Sequence, residues 1–171
     1  MAYEAIRTTA DVARRLALGQ TREDHYLELK GREPYGNNHE GKRECARDVA
    51  QFANASGGNL VVGAEERDHV LSAFDSVTHA DEMLRWLHDV LKGNLEPVPP
   101  VEAKVIELLE GAQLVVLNVP PSPVLVARKS ADAYEFPIRS GDSKRYMTLM
   151  EIEARMDNRE RLMKLRLEQV K

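Results

Sequence analysis

Hydrophobic and polar positions along the chain fall into helical and extended patterns. Residues 3–18 carry apolar side chains at roughly helical spacing and are followed by Gly19, so an N-terminal amphipathic helix is predicted. Residues 25–30 alternate between polar and apolar side chains, which predicts a half-buried strand. The polar face of this strand carries Glu28 and Lys30.

A turn of small residues at 54–58 separates a predicted helix over residues 42–55 from a predicted apolar strand over residues 60–64. The two glycines of the turn allow positive φ or a close backbone approach, which favours a structural role. The turn also follows the C-terminal end of a helix, whose dipole repels anions. Two adjacent carboxylates, Glu65 and Glu66, come directly after the strand.

The rest of the chain contains short extended patterns and two more helical ones. Extended patterns lie at residues 70–74, 101–109, 114–119, 124–127 and 134–139, helical ones lie at 78–92 and 148–170, and a loop lies at 140–144. Because several consecutive strands look joined by hairpins, we expect an α+β fold with a mixed, largely antiparallel sheet flanked by helices and a long C-terminal helix. The expected units are an N-terminal helix (1–20), the α+β domain (21–155) and a C-terminal helix extension (156–171).

Composition limits the classes of function. The chain has 171 residues and a net charge of −4. Its single cysteine, Cys45, excludes an internal disulfide bond and a cysteine-rich zinc site. The negative balance argues against a nonspecific polybasic binder, so contact with nucleic acid requires a local basic patch. No apolar run approaches the ~20 residues that span a bilayer, and the first residues lack the apolar core of a secretory signal. A cytoplasmic protein without a membrane partner is therefore expected.

Five short motifs occur in order along the chain. They are ExxxxELK from Glu23 to Lys30, FANASGGNLVVGAEE over 52–66, PV at 123–124, PIRSGDS at 137–143 and MEI at 150–152. In this order the motifs resemble those of the Schlafen/AlbA-like family of nucleic-acid-binding domains. The resemblance covers roughly residues 20–155, and its central phrase is the most specific part.

The resemblance implies an acidic centre for phosphodiester cleavage. It assigns Glu23, Glu28 and either Glu65 or Glu66 to this centre, with Glu23, Glu28 and Glu65 as ligands of Mg²⁺ or Mn²⁺. Lys30 would contact the scissile phosphate, and the implied activity is that of a metal-dependent endoribonuclease. Ribonuclease-active Schlafens place Asp after the corresponding strand, whereas this chain has two glutamates, so a catalytic and a non-catalytic domain both remain open.

Basic residues form a candidate nucleic-acid face. The helix over 42–55 contributes Lys42, Arg43 and Arg47, and the strand and loop from 134 to 145 contribute Arg139, Ser140, Ser143, Lys144 and Arg145. Contacts of this kind to phosphates give salt-dependent binding with little sequence preference. The alternative is an ordinary charged surface.

Three functions remain open at this point. They are a nucleic-acid-binding domain with endoribonuclease activity, a non-catalytic DNA- or RNA-binding regulatory module, and a protein-interaction or assembly subunit that uses the long C-terminal helix. For the acidic centre, the alternative is that Glu28 pairs with Lys30 or Arg43. No ATP site is predicted, because the chain has no GxxxxGK[ST] motif. The C-terminal helix leaves a homodimer open, and a larger complex is open as well.

Overall fold

The computed structural model describes residues 3–157, with the following helices and strands. The helices are α1 (Thr9–Arg15), α2 (His39–Ala53) and α3 (Ala80–Asn94). The strands are β1 (Leu27–Lys30), β2 (Gly58–Val62), β3 (Ala64–Arg67), β4 (Val70–Phe74), β5 (Leu95–Glu96), β6 (Glu102–Glu107), β7 (Gln113–Val119), β8 (Ala127–Lys129), β9 (Tyr134–Glu135), β10 (Pro137–Ser140) and β11 (Ser143–Tyr146). A further helical segment covers residues 149–157. Across the described range, no helix is both long and apolar enough to cross a membrane.

A four-stranded mixed sheet forms the centre of the fold, in the order β1-β2-β7-β6. β1 and β2 run parallel, whereas the β2–β7 and β7–β6 pairs are antiparallel. Smaller antiparallel pairings accompany it, namely β3 with β4, β10 with β11, and the set β5-β8-β9. The predicted α+β fold with a mixed, largely antiparallel sheet is confirmed.

Apolar side chains pack on both faces of the central sheet. On β2, Leu60 belongs to the core covered by α2 and α3, while Val61 belongs to the core on the opposite face. Leu29 of β1 joins Val61 in that second core. Because the parallel register pairs Glu28 with Leu60, Glu28 points towards α2. The alternation predicted for β1 is therefore observed, and the face that carries Glu28 is covered by α2.

The N-terminal helix is shorter than predicted. α1 covers only Thr9–Arg15, and residues 3–7 have no helical structure. The side chain of Asn118 holds this segment against β7, because its Oδ1 accepts from the N–H of Ile6 at 2.8 Å and its Nδ2 donates to the C=O of Ile6 at 2.9 Å. The prediction of a helix over residues 3–18 is thus wrong for its first turns, where an asparagine on a distant strand fixes the backbone.

The last third of the chain differs from the prediction in detail. The strand predicted at 124–127 is displaced to β8, and the strand predicted at 134–139 is divided into β9 and β10. The predicted loop at 140–144 is instead part of the tight β10–β11 hairpin, in which Ser140 pairs with Ser143. The predicted C-terminal helix begins at residue 149, and its continuation beyond residue 157 lies outside the described residues.

The turn after α2 joins the helix to the sheet. Gly57 has a φ of +81°, and a Cβ added to Gly58 would lie 2.1 Å from the ring of Phe52. Asn54, which is wholly buried at the end of α2, donates to the C=O groups of Val126 and Pro137 and accepts from the N–H of Val126. These contacts give the turn a structural role, as its position after a helix C-terminus predicts.

Candidate functional site

Glu28, on the polar face of β1, is buried beneath three cations. Its Oε2 lies 2.5 Å from Nη1 of Arg139, and its Oε1 lies 2.5 Å from Nζ of Lys144 and 2.9 Å from Nζ of Lys30. Only 4% of the Glu28 side chain is exposed. Arg139 and Lys144 are paired residues of the β10–β11 hairpin, so this hairpin closes over β1.

Asp48 of α2 connects the helix to the same group of charges. Its Oδ1 lies 2.9 Å from Nζ of Lys144, and its Oδ2 accepts a hydrogen bond of 2.8 Å from the hydroxyl of Tyr35. The following five residues are called the ionic cluster: Glu28, Lys30, Asp48, Arg139 and Lys144. With three cations and two carboxylates, the ionic cluster carries a formal charge of +1.

Arg139 is engaged entirely inside the protein. Besides its contact with Glu28, its Nε donates to the C=O of Asp24 at 2.7 Å and its Nη2 donates to the C=O of Leu27 at 3.1 Å. Its guanidinium carbon lies 5.0 Å from the centre of the Phe52 ring, a cation–π contact. Arg139 is predicted on the nucleic-acid face, but its side chain is 0% exposed and holds β10 against β1 instead.

The ionic cluster keeps Glu28 and Lys30 charged. Burial disfavours the charged form of Glu28, but Lys30, Lys144 and Arg139 outweigh this effect and lower the pKa of Glu28 from 4.5 to about 2. Burial likewise disfavours the charged form of Lys30, yet Asp48 and Glu28 raise the pKa of Lys30 above its usual range. At neutral pH Glu28 and Lys30 therefore form an ion pair and do not exchange protons.

A second polar cluster lies at the β3–β4 turn, beside the free edge of β1. Oε1 of Glu23 accepts from the backbone N–H of Leu29 at 2.8 Å, and its Oε2 lies 2.8 Å from Nδ1 of His69. Oε2 of Glu66 accepts from the N–H of His69 at 2.6 Å. Each of the three side chains offers a ligand atom within 4.8 Å of the other two. Glu23, Glu66 and His69 are called the turn cluster.

The conformation of the β3–β4 turn places His69 in this cluster. Asp68 and His69 have φ values of +54° and +62°, the left-handed pair that a two-residue type I′ hairpin requires. The hydrogen bond from His69 to Glu23 raises the pKa of His69. Sequence reasoning missed His69, because it lacks a second histidine or cysteine at ligand spacing and meets Glu23 only through the fold.

The predicted metal ligands Glu23, Glu28 and Glu65 do not share one cluster. Glu23 belongs to the turn cluster and Glu28 to the ionic cluster, while Glu65 is exposed on β3. Within residues 3–157, the turn cluster is the group whose donors fit a divalent ion, since it offers two carboxylate oxygens and an imidazole nitrogen. Glu28 does not fit, because three cations already neutralise it. The catalytic roles of Glu28 and Lys30 stay predictions.

Most of the predicted phosphate-binding side chains of the β10–β11 hairpin are engaged within the protein. Lys144 belongs to the ionic cluster, and Nη1 and Nη2 of Arg145 lie 2.8 and 2.6 Å from the carboxylate of Glu151. The hydroxyl of Ser143 donates to the C=O of Ser140 at 2.8 Å and closes the hairpin. Of these four residues, Ser140, Ser143 and Arg145 are exposed.

The predicted phosphate-binding residues of α2 are held more loosely. Arg43 lies 3.6 Å from Glu135, and Arg47 lies 3.4 Å from Glu44, both at the long end of ion-pair distances. Among the described residues, Lys42 has no carboxylate within 4.0 Å. The side chains of Arg43 and Arg47 are about one third exposed (33% and 32%), so both reach solvent.

A polar hollow of about 400 Å³ opens beside α2. It is lined by Glu40, Arg43, Glu44, Arg47, Arg128 and Tyr146. Sequence reasoning missed Arg128 and Tyr146, because they lie on β8 and β11 and only the fold brings them next to the helix.

Comparison with known families identifies the class of domain. The family model described as Schlafen, AlbA_2 matches residues 23–148. The chain therefore belongs to the Schlafen/AlbA_2 family, and the resemblance of its motifs is confirmed. Among curated proteins none matches the chain.

Solved structures of 22 chains match this one. The N-terminal domain of a RecG-related protein from Nitrosomonas europaea is 20% identical with a TM-score of 0.57, and the match covers 84% of this chain and 95% of that one. The DIP2311 protein from Corynebacterium diphtheriae is 22% identical with a TM-score of 0.48, over 72% of this chain and 25% of that one. The chain thus spans about a quarter of the DIP2311 protein, while the Nitrosomonas domain has the same fold over nearly its whole length.

Proposed function

We propose that this domain binds nucleic acid along the exposed face of α2, where Lys42, Arg43 and Arg47 contact phosphates. The observation that carries the proposal is the unequal engagement of the cations: those of α2 are loosely paired, whereas Lys144 and Arg145 of the hairpin are closely paired. Loosely paired surface cations exchange their partners for phosphates at little cost.

Family membership and fold also support this proposal. The chain belongs to the Schlafen/AlbA_2 family, and it shares its fold with a domain whose name relates it to the DNA helicase RecG. The ionic cluster positions α2 for this contact. Asp48, the residue after Arg47, pairs with Lys30 of β1 and Lys144 of the hairpin and so holds α2 against both. The cations of α2 would then meet a ligand from a rigid helix.

The test measures binding of short fluorescent oligonucleotides by anisotropy at several salt concentrations. The double variant Arg43→Gln/Arg47→Gln removes two of the proposed contacts, so the slope of log affinity against log salt should become shallower by about 1.4 to 1.8. The matched control is Arg85→Gln/Lys92→Gln, which removes two exposed cations of α3 that have no carboxylate within 4.0 Å among the described residues. Equal losses in the two double variants would contradict the proposal, since binding would then depend only on net charge.

A second candidate function, metal-dependent phosphodiester cleavage, is supported by the turn cluster. Glu23, Glu66 and His69 would hold a divalent ion such as Mn²⁺, which accepts carboxylate and imidazole ligands. Such an ion would supply an activated water and neutralise charge on the phosphate. His69 must release its proton to act as a ligand, and Glu23 raises the pKa of His69, so metal affinity should fall as pH decreases.

Titration calorimetry with Mn²⁺ separates this candidate from binding alone. Glu66→Gln should abolish metal binding, whereas Glu65→Gln changes the neighbouring exposed carboxylate outside the turn cluster and should leave it intact. Cleavage of labelled RNA should follow the same pattern. Metal affinity that is equal in the two variants would remove the turn cluster from consideration.

A homodimer is proposed for the C-terminal helical segment. Leu149, Met150 and Met156 are 70%, 79% and 53% exposed, an unusual apolar content for one short surface segment. Light scattering on the full chain should give twice the monomer mass. Leu149→Glu/Met156→Glu should restore the monomer, and a monomeric wild type would dismiss the proposal.

A further inference from the structure

The polar hollow beside α2 is lined by two arginines whose charges are only loosely paired. Nε of Arg43 and Nε of Arg47 are buried, and within the described residues neither has a hydrogen-bond partner. The ion pairs that their Nη2 atoms make with Glu135 and Glu44 are 3.6 and 3.4 Å long, and both side chains are about one third exposed, so the two guanidinium groups remain available to a polar ligand.

The opposite wall of the hollow is rigid. Arg128 has a side chain only 5% exposed, and its Nε donates to Glu135 at 2.8 Å. Its Nη1 donates to the C=O of Arg43 at 3.2 Å, and its Nη2 donates to the hydroxyl of Tyr146 at 2.9 Å. Arg128 therefore fixes both the backbone of α2 and the position of the tyrosine ring.

Tyr146 offers an aromatic surface at the mouth of the hollow. The residue is 46% exposed, and its ring lies 5.7 Å from the guanidinium carbon of Arg128. Exposed aromatic rings beside cationic grooves stack on unpaired bases and do so with little regard to sequence. A base in a duplex is already stacked on its neighbours and is not accessible to such a ring.

We infer that the hollow binds one nucleotide unit of a single-stranded nucleic acid, with its phosphate on Arg43 and Arg47 and its base on Tyr146. The inference rests on the proposed function and deepens it by naming the strandedness of the ligand. The guanidinium groups present planar N–H donors that match phosphate oxygens. The volume of about 400 Å³ lies within the range of pockets for small ligands. Glu40 and Glu44 also line the hollow, which favours a singly charged phosphodiester over a more highly charged anion.

The test compares a labelled single strand with the duplex of the same sequence, for the wild type, Tyr146→Ala, Tyr146→Leu and Tyr146→Phe. Loss of stacking should weaken single-strand binding by about 5- to 150-fold in the Ala and Leu variants, with an unchanged salt slope. Tyr146→Phe keeps the ring and should keep most of the affinity. Duplex binding should change little in all three variants.

The outcomes separate this inference from the proposed function. A wild type that binds neither nucleic acid ends both. If the wild type binds but Tyr146→Leu leaves its affinity for the single strand unchanged, the inference about the hollow is wrong while the proposed function stands. The same holds if Tyr146→Leu weakens binding of the single strand and the duplex equally. Urea denaturation of each variant identifies any loss of affinity that comes from unfolding, and Tyr146→Leu retains apolar bulk at the site if Tyr146→Ala does not fold.

Discussion

Replacement of Glu28 by glutamine tests whether the ionic cluster stabilises the fold through charge. The wild-type pKa of Glu28 falls from 4.5 to about 2 on folding, because the attraction of Lys30, Lys144 and Arg139 exceeds the effect of burial. At 1.36 kcal/mol per pH unit, this difference corresponds to about 3 kcal/mol of stability at neutral pH. Glutamine keeps the shape of the side chain and removes the charge, so Glu28→Gln should be less stable by about this amount.

The sign of the pH dependence follows from the direction of the pKa shift. A carboxylate whose pKa is lower in the folded state contributes fully above its unfolded value of 4.5 and loses its contribution as pH falls towards about 2. The difference in unfolding free energy between wild type and Glu28→Gln should therefore be about 3 kcal/mol at pH 7 and about 1.4 kcal/mol at pH 3. Carboxylates remote from the ionic cluster have the same surroundings in both proteins and cancel in the difference.

Urea denaturation followed by circular dichroism provides the assay, repeated at intervals from pH 7 to pH 3. The quantity of interest is the wild-type minus variant free energy at each pH. A difference that does not change with pH would mean that glutamine destabilises through shape or lost hydrogen bonds, and the reasoning from charge would be refuted. A free-energy difference near zero at pH 7 would show that the desolvation of Glu28 is as unfavourable as its ion pairs are favourable.

Three further changes test how the surrounding structure is held together. Arg139→Met should cost about 3 to 5 kcal/mol in urea denaturation because it leaves Glu28 buried with one cation fewer, whereas Arg145→Met on the same hairpin breaks an exposed pair and should cost less than about 1 kcal/mol. Gly58→Ala should cost about 2 to 3 kcal/mol, since its Cβ would meet the buried ring of Phe52; a thermal melt close to that of the wild type would contradict this. Asn54→Ala removes three buried hydrogen bonds and should cost about 3 kcal/mol or more, and amide exchange should rise most at the backbone groups that it binds.

The elements of the fold could be predicted from the sequence wherever a local pattern decides them. The strand over 70–74 is observed with the same bounds, and the alternation of residues 25–30 correctly separates Leu29 from Glu28. The N-terminal helix could not be bounded in this way, because the side chain of Asn118 fixes Ile6 from a strand far along the chain. Local spacing contains no information about such a partner.

The candidate site depends more heavily on long-range contacts and was less predictable. Glu28 and Arg139 are separated by 111 positions, and nothing in either segment indicates that the arginine is buried on the glutamate. A charged residue beside a polar loop usually lies at the surface, so Arg139 resembles a phosphate-binding residue in sequence. Pairing of Glu28 with Lys30 is one of the predicted alternatives to metal binding, because residues two apart on a strand share a face, and the structure contains this ion pair.

Net charge is a weak guide to the electrostatics of this domain. The total of −4 includes Glu28 and Asp48, but both are buried against cations and contribute little field at the surface. Lys30 and Lys144 remain 21% and 22% exposed above them, so this part of the surface is more positive than the composition indicates. The exposed acidic residues of the β3–β4 turn also count towards the net charge, but they lie on a different element. Under physiological conditions, salt limits the reach of their electric field to about 8 Å. An overall acidic chain can therefore present a locally cationic face, provided that its carboxylates there are buried beneath the cations.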